Sequence, residues 1–163
     1  MYKFKTNVVT VLGDMHTPVE TYLRVRDLYS QSALMESSDY HGGDNNRSFI
    51  GLEPIASVSI RHGKTYMKFP DGSRREHVVD HSYRSDCAIN DFLKEISVDG
   101  EFSNYCGLYG YTSFNAVRYF EDIKVKNEVN PLADAPDMLY ILYRYIIVFN
   151  DFKNEMLLLE MLA

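Results

Sequence analysis

The sequence predicts an α+β fold: antiparallel β-sheets of the meander and hairpin kind, sandwich-like, with a few packed helices. Three observations lead there. Apolar residues at helical spacing are confined to a few segments. Runs rich in β-branched and aromatic residues are separated by short turn signals, as in hairpins. Helices and strands do not alternate strictly, as a parallel βαβ sheet would require. With 163 residues, the chain has the length of one domain, read here as a single domain over 1–163.

The elements follow in order. Thr17-Pro18-Val19-Glu20 opens a helix over 17–30: threonine caps, proline suits the first helical position, and glutamate three residues on completes a capping box. Residues 32–37 read as a short strand, and 40–46 as a polar, glycine-rich loop. Strands over 47–52 and 56–61 flank Glu53-Pro54. His62-Gly63-Lys64 turns the chain into a strand over 65–69. Pro70-Asp71-Gly72-Ser73 turns it again into 74–79, proline presetting φ and glycine tolerating positive φ. Ile89, Phe92, Leu93 and Ile96 place a second helix over 86–97. The glycines of 107–114 mark a strand with close backbone approach, leading into a short helix over 115–122. Residues 124–137 contain Pro131 and Pro136 and read as a loop. A long strand over 138–149 turns through 150–154 into a closing strand over 155–162.

Composition bounds the function. Seventeen Lys plus Arg stand against 23 Asp plus Glu, for a net charge of −6. An acidic chain without a basic stripe argues against nucleic acid as a partner. Without interleaved cations, the 13 Tyr and nine Phe read as core and strand residues rather than base-stacking platforms. Cys87 and Cys106 form no CxxC pair and are too few for a disulfide framework, which fits a reducing, cytoplasmic setting. No run reaches the ~18 apolar residues of a membrane helix, so no membrane partner is expected. The terminal stretch from Met156 is apolar without a polar tail, which predicts a parent chain continuing past Ala163.

No complete catalytic constellation is present. There is neither a G-x-S-x-G elbow nor a G-x-x-x-x-G-K-[ST] phosphate loop. His41-Gly42-Gly43-Asp44 does not open a helix as an anion-binding loop would. His77 and His81 have a zinc-like spacing but no cysteine pair beside them and read as surface histidines. Cys87, at a predicted helix start, reads as a packed thiol. No catalytic and no metal-ligating residue is therefore assigned. What remains is Leu34-Met35-Glu36-Ser37-Ser38, followed after the loop by Arg47. A strand that delivers a carboxylate and two hydroxyls, with a guanidinium on the returning strand, can match the ammonium and carboxylate of an amino acid. A surface Glu–Arg pair with serines at a turn is the other reading of the same residues.

At these residues the chain resembles the amino-terminal region of the anthranilate synthase large subunit (component I), a chorismate-using enzyme family. The match runs through Thr17-Pro18-Val19-Glu20-Thr21-Tyr22-Leu23, through Leu34-Met35-Glu36-Ser37 (similar to the family's LLES) and through Ser48-Phe49-Ile50-Gly51-Leu52-Glu53-Pro54. It resumes at Gly107-Leu108-Tyr109-Gly110-Tyr111, Arg118-Tyr119-Phe120-Glu121, Ala135-Pro136-Asp137-Met138 and Ile147-Val148-Phe149-Asn150. Met35 replaces the second leucine, a volume-conserving change. Many relatives carry Arg-Tyr before the serine-aromatic pair, whereas Asn46-Arg47 sets the cation one residue later, on the opposite face of a strand.

The resemblance implies a parent enzyme that makes anthranilate and pyruvate from chorismate and glutamine-derived ammonia, in tryptophan biosynthesis. It implies chorismate and Mg2+ sites in a carboxy-terminal catalytic region, with no cofactor in this region. It also implies a glutamine amidotransferase subunit as partner and L-tryptophan as feedback effector. The effector residues would be Ser37 and Arg47, with Glu36 and Ser38 as adjacent candidates for the ammonium. Aminodeoxychorismate synthase, which shares the architecture, and a stand-alone amino-acid-binding module are the alternatives.

Overall fold

The structure, a computed structural model, describes residues 1–37, 46–123 and 134–163. Its elements are β1 (Tyr2–Leu12), α1 (Pro18–Val25), β2 (Ala33–Met35), β3 (Arg47–Arg61), β4 (Lys64–Lys68), β5 (Arg74–Val78), α2 (Ser85–Lys94), β6 (Ile96–Asp99), β7 (Leu108–Thr112), β8 (Met138–Asn150) and β9 (Glu155–Leu162). Two 3-10 turns lie at Ser103–Tyr105 and Phe114–Tyr119. Antiparallel strand pairs with a few helices make the fold α+β, as the sequence predicts. The chain packs as two units. Met1–Tyr2, Ala56–Ser97 and Gly110–Ile141 form the first, and Lys3–Ile55, Val98–Tyr109 and Leu142–Ala163 the second.

In the first unit, the end of β3 with β4 and β5 makes an antiparallel meander, in register at Val58↔Met67 and Met67↔Arg75. Its first turn places both His62 (φ 50°) and Gly63 (φ 72°) in the left-handed region, as two-residue hairpins prefer. In the second turn Gly72 has φ 82°. There the Asp71 carboxylate accepts the Ser73 N–H at 2.8 Å, and hydrogen bonds from Ser73 hold its pKa down at about 2. Helix α2 buries Ala88 and Phe92. Phe92 stacks on Phe69 at 5.4 Å, and the Arg75 guanidinium covers Phe69 at 4.6 Å while pairing with Glu95 at 2.9 Å. A further core joins Ile60, Ala116 and Met138, with Val79, Ile89, Tyr119 and Tyr140 packed against it.

In the second unit, β9 lies between β8 and β1, in register at Tyr145↔Glu160 and Val8↔Leu159. Its core is Ile50, Leu52, Ile147, Phe149 and Met156, covered by Tyr22, Val25, Tyr29 and Leu34. Helix α1 is capped as expected: Thr17 Oγ1 accepts the Glu20 N–H at 3.1 Å, and Pro18 sits in the first turn.

Several boundaries differ from the sequence reading. Helix α1 ends at Val25, not at residue 30, and Leu28 beyond it is 76% exposed. The strands expected over 47–52 and 56–61 are one strand, because Glu53 takes a left-handed φ of 58° and absorbs Pro54 as a bulge-like kink. Helix α2 ends at Lys94, since Ile96 enters β6. The expected helix over 115–122 is the 3-10 turn Phe114–Tyr119. Strand β1 was not anticipated: only Phe4 is fully buried in it, between exposed lysines.

The close approach expected at 107–114 is present. A β-carbon on Gly110 would overlap the Leu139 carbonyl oxygen of β8, whereas one on Gly107 would meet nothing within 4 Å. Gly110→Ala is therefore expected to cost at least about 1–3 kcal/mol, and Gly107→Ala far less. Urea denaturation of the two variants checks this contrast; equal midpoints would contradict the packing.

Candidate functional site

Strand β2 pairs antiparallel with the start of β3, in register at Ala33↔Gly51, Leu34↔Ile50 and Met35↔Phe49. Directly opposite residues of an antiparallel pair project on one face, and successive residues alternate. Leu34, Ile50 and Leu52 thus turn into the core of this unit, and Met35, Phe49 and Gly51 to the opposite face. The pairing ends at Met35, so Glu36 and Ser37 follow the strand end. A hydrogen bond fixes this end: the Ser37 backbone N–H donates to Ser48 Oγ at 3.3 Å, and Ser48 is only 1% exposed.

Ser37 and Arg47 are half-buried and Glu36 is exposed. Ser38 lies outside the described residues. Ser48 is the residue that sequence reasoning missed; a serine alternating with apolar neighbours reads as ordinary strand pattern until the register shows its hydroxyl receiving Ser37.

Aromatic rings wall the face that carries Met35, Phe49 and Gly51. Phe49 tilts against Tyr105 at 5.8 Å and Tyr109 at 5.6 Å, and Tyr109 meets Tyr143 at 6.5 Å. The Tyr143 ring occupies the space where a Gly51 side chain would stand. Neither phenol is left unsatisfied: Tyr109 OH donates to the Tyr105 carbonyl, and Tyr143 OH to the Gln31 carbonyl at 2.8 Å. Burial raises both pKa values, that of Tyr143 to about 12. Burial also pushes the Cys106 thiol up to about 11, which disfavours the reactive thiolate. Among the described residues no group of three His, Cys, Asp or Glu converges on a metal position. His77 instead packs its ring 4.7 Å from that of Tyr83.

In the first unit a second polar cluster joins two segments that the sequence offered separately. Arg118 Nη2 and Tyr119 OH donate to the two carboxylate oxygens of Asp137 at 3.0 and 2.7 Å. Tyr119 OH accepts the Gly63 N–H at 3.1 Å, and the Asp137 N–H donates to the Ile60 carbonyl at 2.8 Å. With Asp137 8% exposed, this is a satisfied buried network. Burial, followed by the bond to Asp137, raises the Tyr119 phenol to about 12.

No family profile matches the sequence. Curated relatives do. The chain is 30% identical over 142 residues to "Anthranilate synthase component 1" of Methanothermobacter marburgensis, covering 87% of this chain and 28% of the relative. It is 31% identical over 149 residues to the protein of that name from Pseudomonas putida, covering 89% and 29%. The Acinetobacter calcoaceticus protein is 28% identical over 160 residues, covering 91% and 30%. Anthranilate synthase component I of Streptococcus pneumoniae TIGR4 superposes with a TM-score of 0.45 at 19% identity, over 90% of this chain and 29% of that one. The chain thus spans less than a third of the length of these relatives.

The raised phenols carry a pH signature. Tyr119 and Tyr143 ionise near 12 when folded against 10.0 in the ordinary case. The stability they contribute is fully present below pH 10 and is lost as pH rises through 12, because the unfolded chain releases these protons first. Tyrosinate absorbance at 295 nm, uncontaminated because the chain has no Trp, should show a late-ionising class. Tyr143→Phe should shrink it. A single transition at the ordinary phenol pKa would contradict the burial.

Proposed function

From the premise that this chain belongs to the anthranilate synthase component 1 family, over less than a third of its relatives' length, we infer that it is the amino-terminal region of such an enzyme and carries part of an L-tryptophan feedback site. The observation that supports the reading is the tie from the Ser37 N–H to Ser48 Oγ, which anchors Ser37 beside the residue that follows Arg47. In this arrangement the Arg47 guanidinium takes the effector carboxylate and the Ser37 hydroxyl a second polar group of the amino acid. Met35 and Phe49, on the same face, offer apolar surface to an indole. Glu36, exposed and just past the last residue of β2, takes the ammonium in this reading. Ser38 stays a candidate by its place in the motif.

The parent reaction, chorismate with glutamine-derived ammonia to anthranilate and pyruvate, belongs in this reading to the rest of the enzyme. So do the contact with an amidotransferase subunit and the Mg2+ site, for which the described residues offer no converging ligands. Feedback then acts as a coupling free energy between two sites, typically ~1–3 kcal/mol, and needs both halves of the parent. The 163-residue chain alone is expected to form no anthranilate from chorismate, ammonia and Mg2+. Turnover that survives a mock-purification control would contradict the assignment.

In the full-length parent, Ser37→Ala should relieve tryptophan inhibition and leave the uninhibited kcat and the KM for chorismate nearly unchanged. A hydrogen bond to a charged group is worth about 1.5–3 kcal/mol, so the inhibition constant should rise roughly tenfold to more than a hundredfold. Arg47→Ala should act in the same direction. An unchanged inhibition constant for Ser37→Ala would remove the effector site from this strand end. The isolated chain should bind tryptophan weakly at best, which anisotropy of the ligand's own indole fluorescence can read directly, since the chain has no Trp.

A further inference from the structure

The meander of the first unit presents one largely polar face. Its register sets Ser57, Lys68 and Arg74 in one row across β3, β4 and β5, Ser59, Tyr66 and Glu76 in the next, and Arg61, Lys64 and Val78 in a third. The alternate residues Val58, Ile60, Thr65 and Met67 are buried, so these rows form the outer face. Lys64, Tyr66, Lys68, Arg74 and Glu76 are all exposed.

Charge on this face is unbalanced. Arg61 pairs with Asp134 at 3.6 Å, whereas Lys64, Lys68 and Arg74 have no ion-pair partner among the described residues. Glu76 is the one acid in the three rows. Lys68 and Arg74 stand directly opposite each other, an arrangement of like charges that destabilises a sheet unless an anion relieves it. This occurs on a chain whose net charge is −6.

We propose that this face is a docking surface for an acidic segment of another protein. Three features select that partner. The depression over the rows measures only about 180 Å3, below the roughly 300–1,000 Å3 of pockets that enclose small ligands. The cationic area is local, and the acidity of the whole chain opposes a long polyanion such as nucleic acid. Tyr66 and Arg74, exposed on an open sheet, are of residue types enriched at protein interfaces. Lys64 and Lys68 are four residues apart on β4, about 13 Å along a strand. An extended segment carrying two or three Asp or Glu at alternate positions fits that span. The inference is independent of the effector reading.

A decapeptide alternating glutamate with serine, labelled with an uncharged fluorophore, tests it by anisotropy against the 163-residue chain at low salt. Binding is expected for this peptide and not for its glutamine counterpart. Lys68→Glu with Arg74→Glu should weaken it at least about tenfold, and added salt should weaken it too. Lys5→Glu, an exposed lysine of β1, should leave it unchanged. If circular dichroism shows the double reversal unfolded, Lys68→Gln with Arg74→Gln should still weaken binding at least about threefold. Equal binding of both peptides, or no effect of the Lys68 and Arg74 changes, overturns the proposal. Displacement by micromolar inorganic phosphate would make the face a small-anion site instead. Tighter binding of an oligothymidylate would make it a nucleic-acid site; either result refutes an acidic protein partner.

Discussion

Strand β8 is buried on successive residues from Ile146 to Asn150, so side chains fill both its faces and leave no slack beside it. Its neighbours approach because glycine stands at the points of contact. In the second unit Gly51 of β3 yields its side-chain space to the Tyr143 ring, and in the first Gly110 of β7 lies against the Leu139 carbonyl. Interiors packed at crystal-like density do not absorb an added methyl. The placement of β3 depends on that fit. With β3 placed, the register of β2 follows, and with it the tie from Ser37 to Ser48.

Much of this was legible in the sequence where one local interaction decides the outcome. Thr17, Pro18 and Glu20 announce the start of α1 because the cap is built within four residues. Gly72 after Pro70-Asp71 announces its turn for the same reason. The long aromatic and β-branched run over 138–149 reads as a strand. The misses arise where tertiary context outweighs local pattern. The exception is β1, which carries Val8, Val9 and Val11 as well as Phe4, a β-branched run that went unread, and is held by pairing with β9. Ile96 continues the helical spacing of α2 yet belongs to β6. Pro54 reads as a break, but Glu53 takes up the distortion with its own backbone. At the candidate site the motif residues could be named, but the Ser37–Ser48 hydrogen bond could not, since it depends on how β2 pairs with β3.

The Arg118–Tyr119–Asp137 cluster makes the same point for buried charge. Asp137 follows Arg118 by 19 positions, and neither segment implies the other. Placed together, they satisfy a nearly inaccessible carboxylate with a guanidinium and a phenol, and they tie the β3–β4 turn through Gly63. Removal of one partner from such a group leaves a buried charge uncompensated, which is far more costly than loss of an exposed pair.

The two thiols give the molecule a built-in clock. Cys87 is partly accessible, whereas Cys106 is buried and holds its proton to about pH 11. An alkylating pulse near pH 8 therefore marks the first while the second waits for its surroundings to open. The rate at which a second label arrives measures how often the region around Cys106 comes apart. Its dependence on reagent concentration separates an opening equilibrium from an opening rate. Because Cys106 follows Tyr105, one of the rings against Phe49, the same measurement reports on the breathing of the aromatic wall with no added probe.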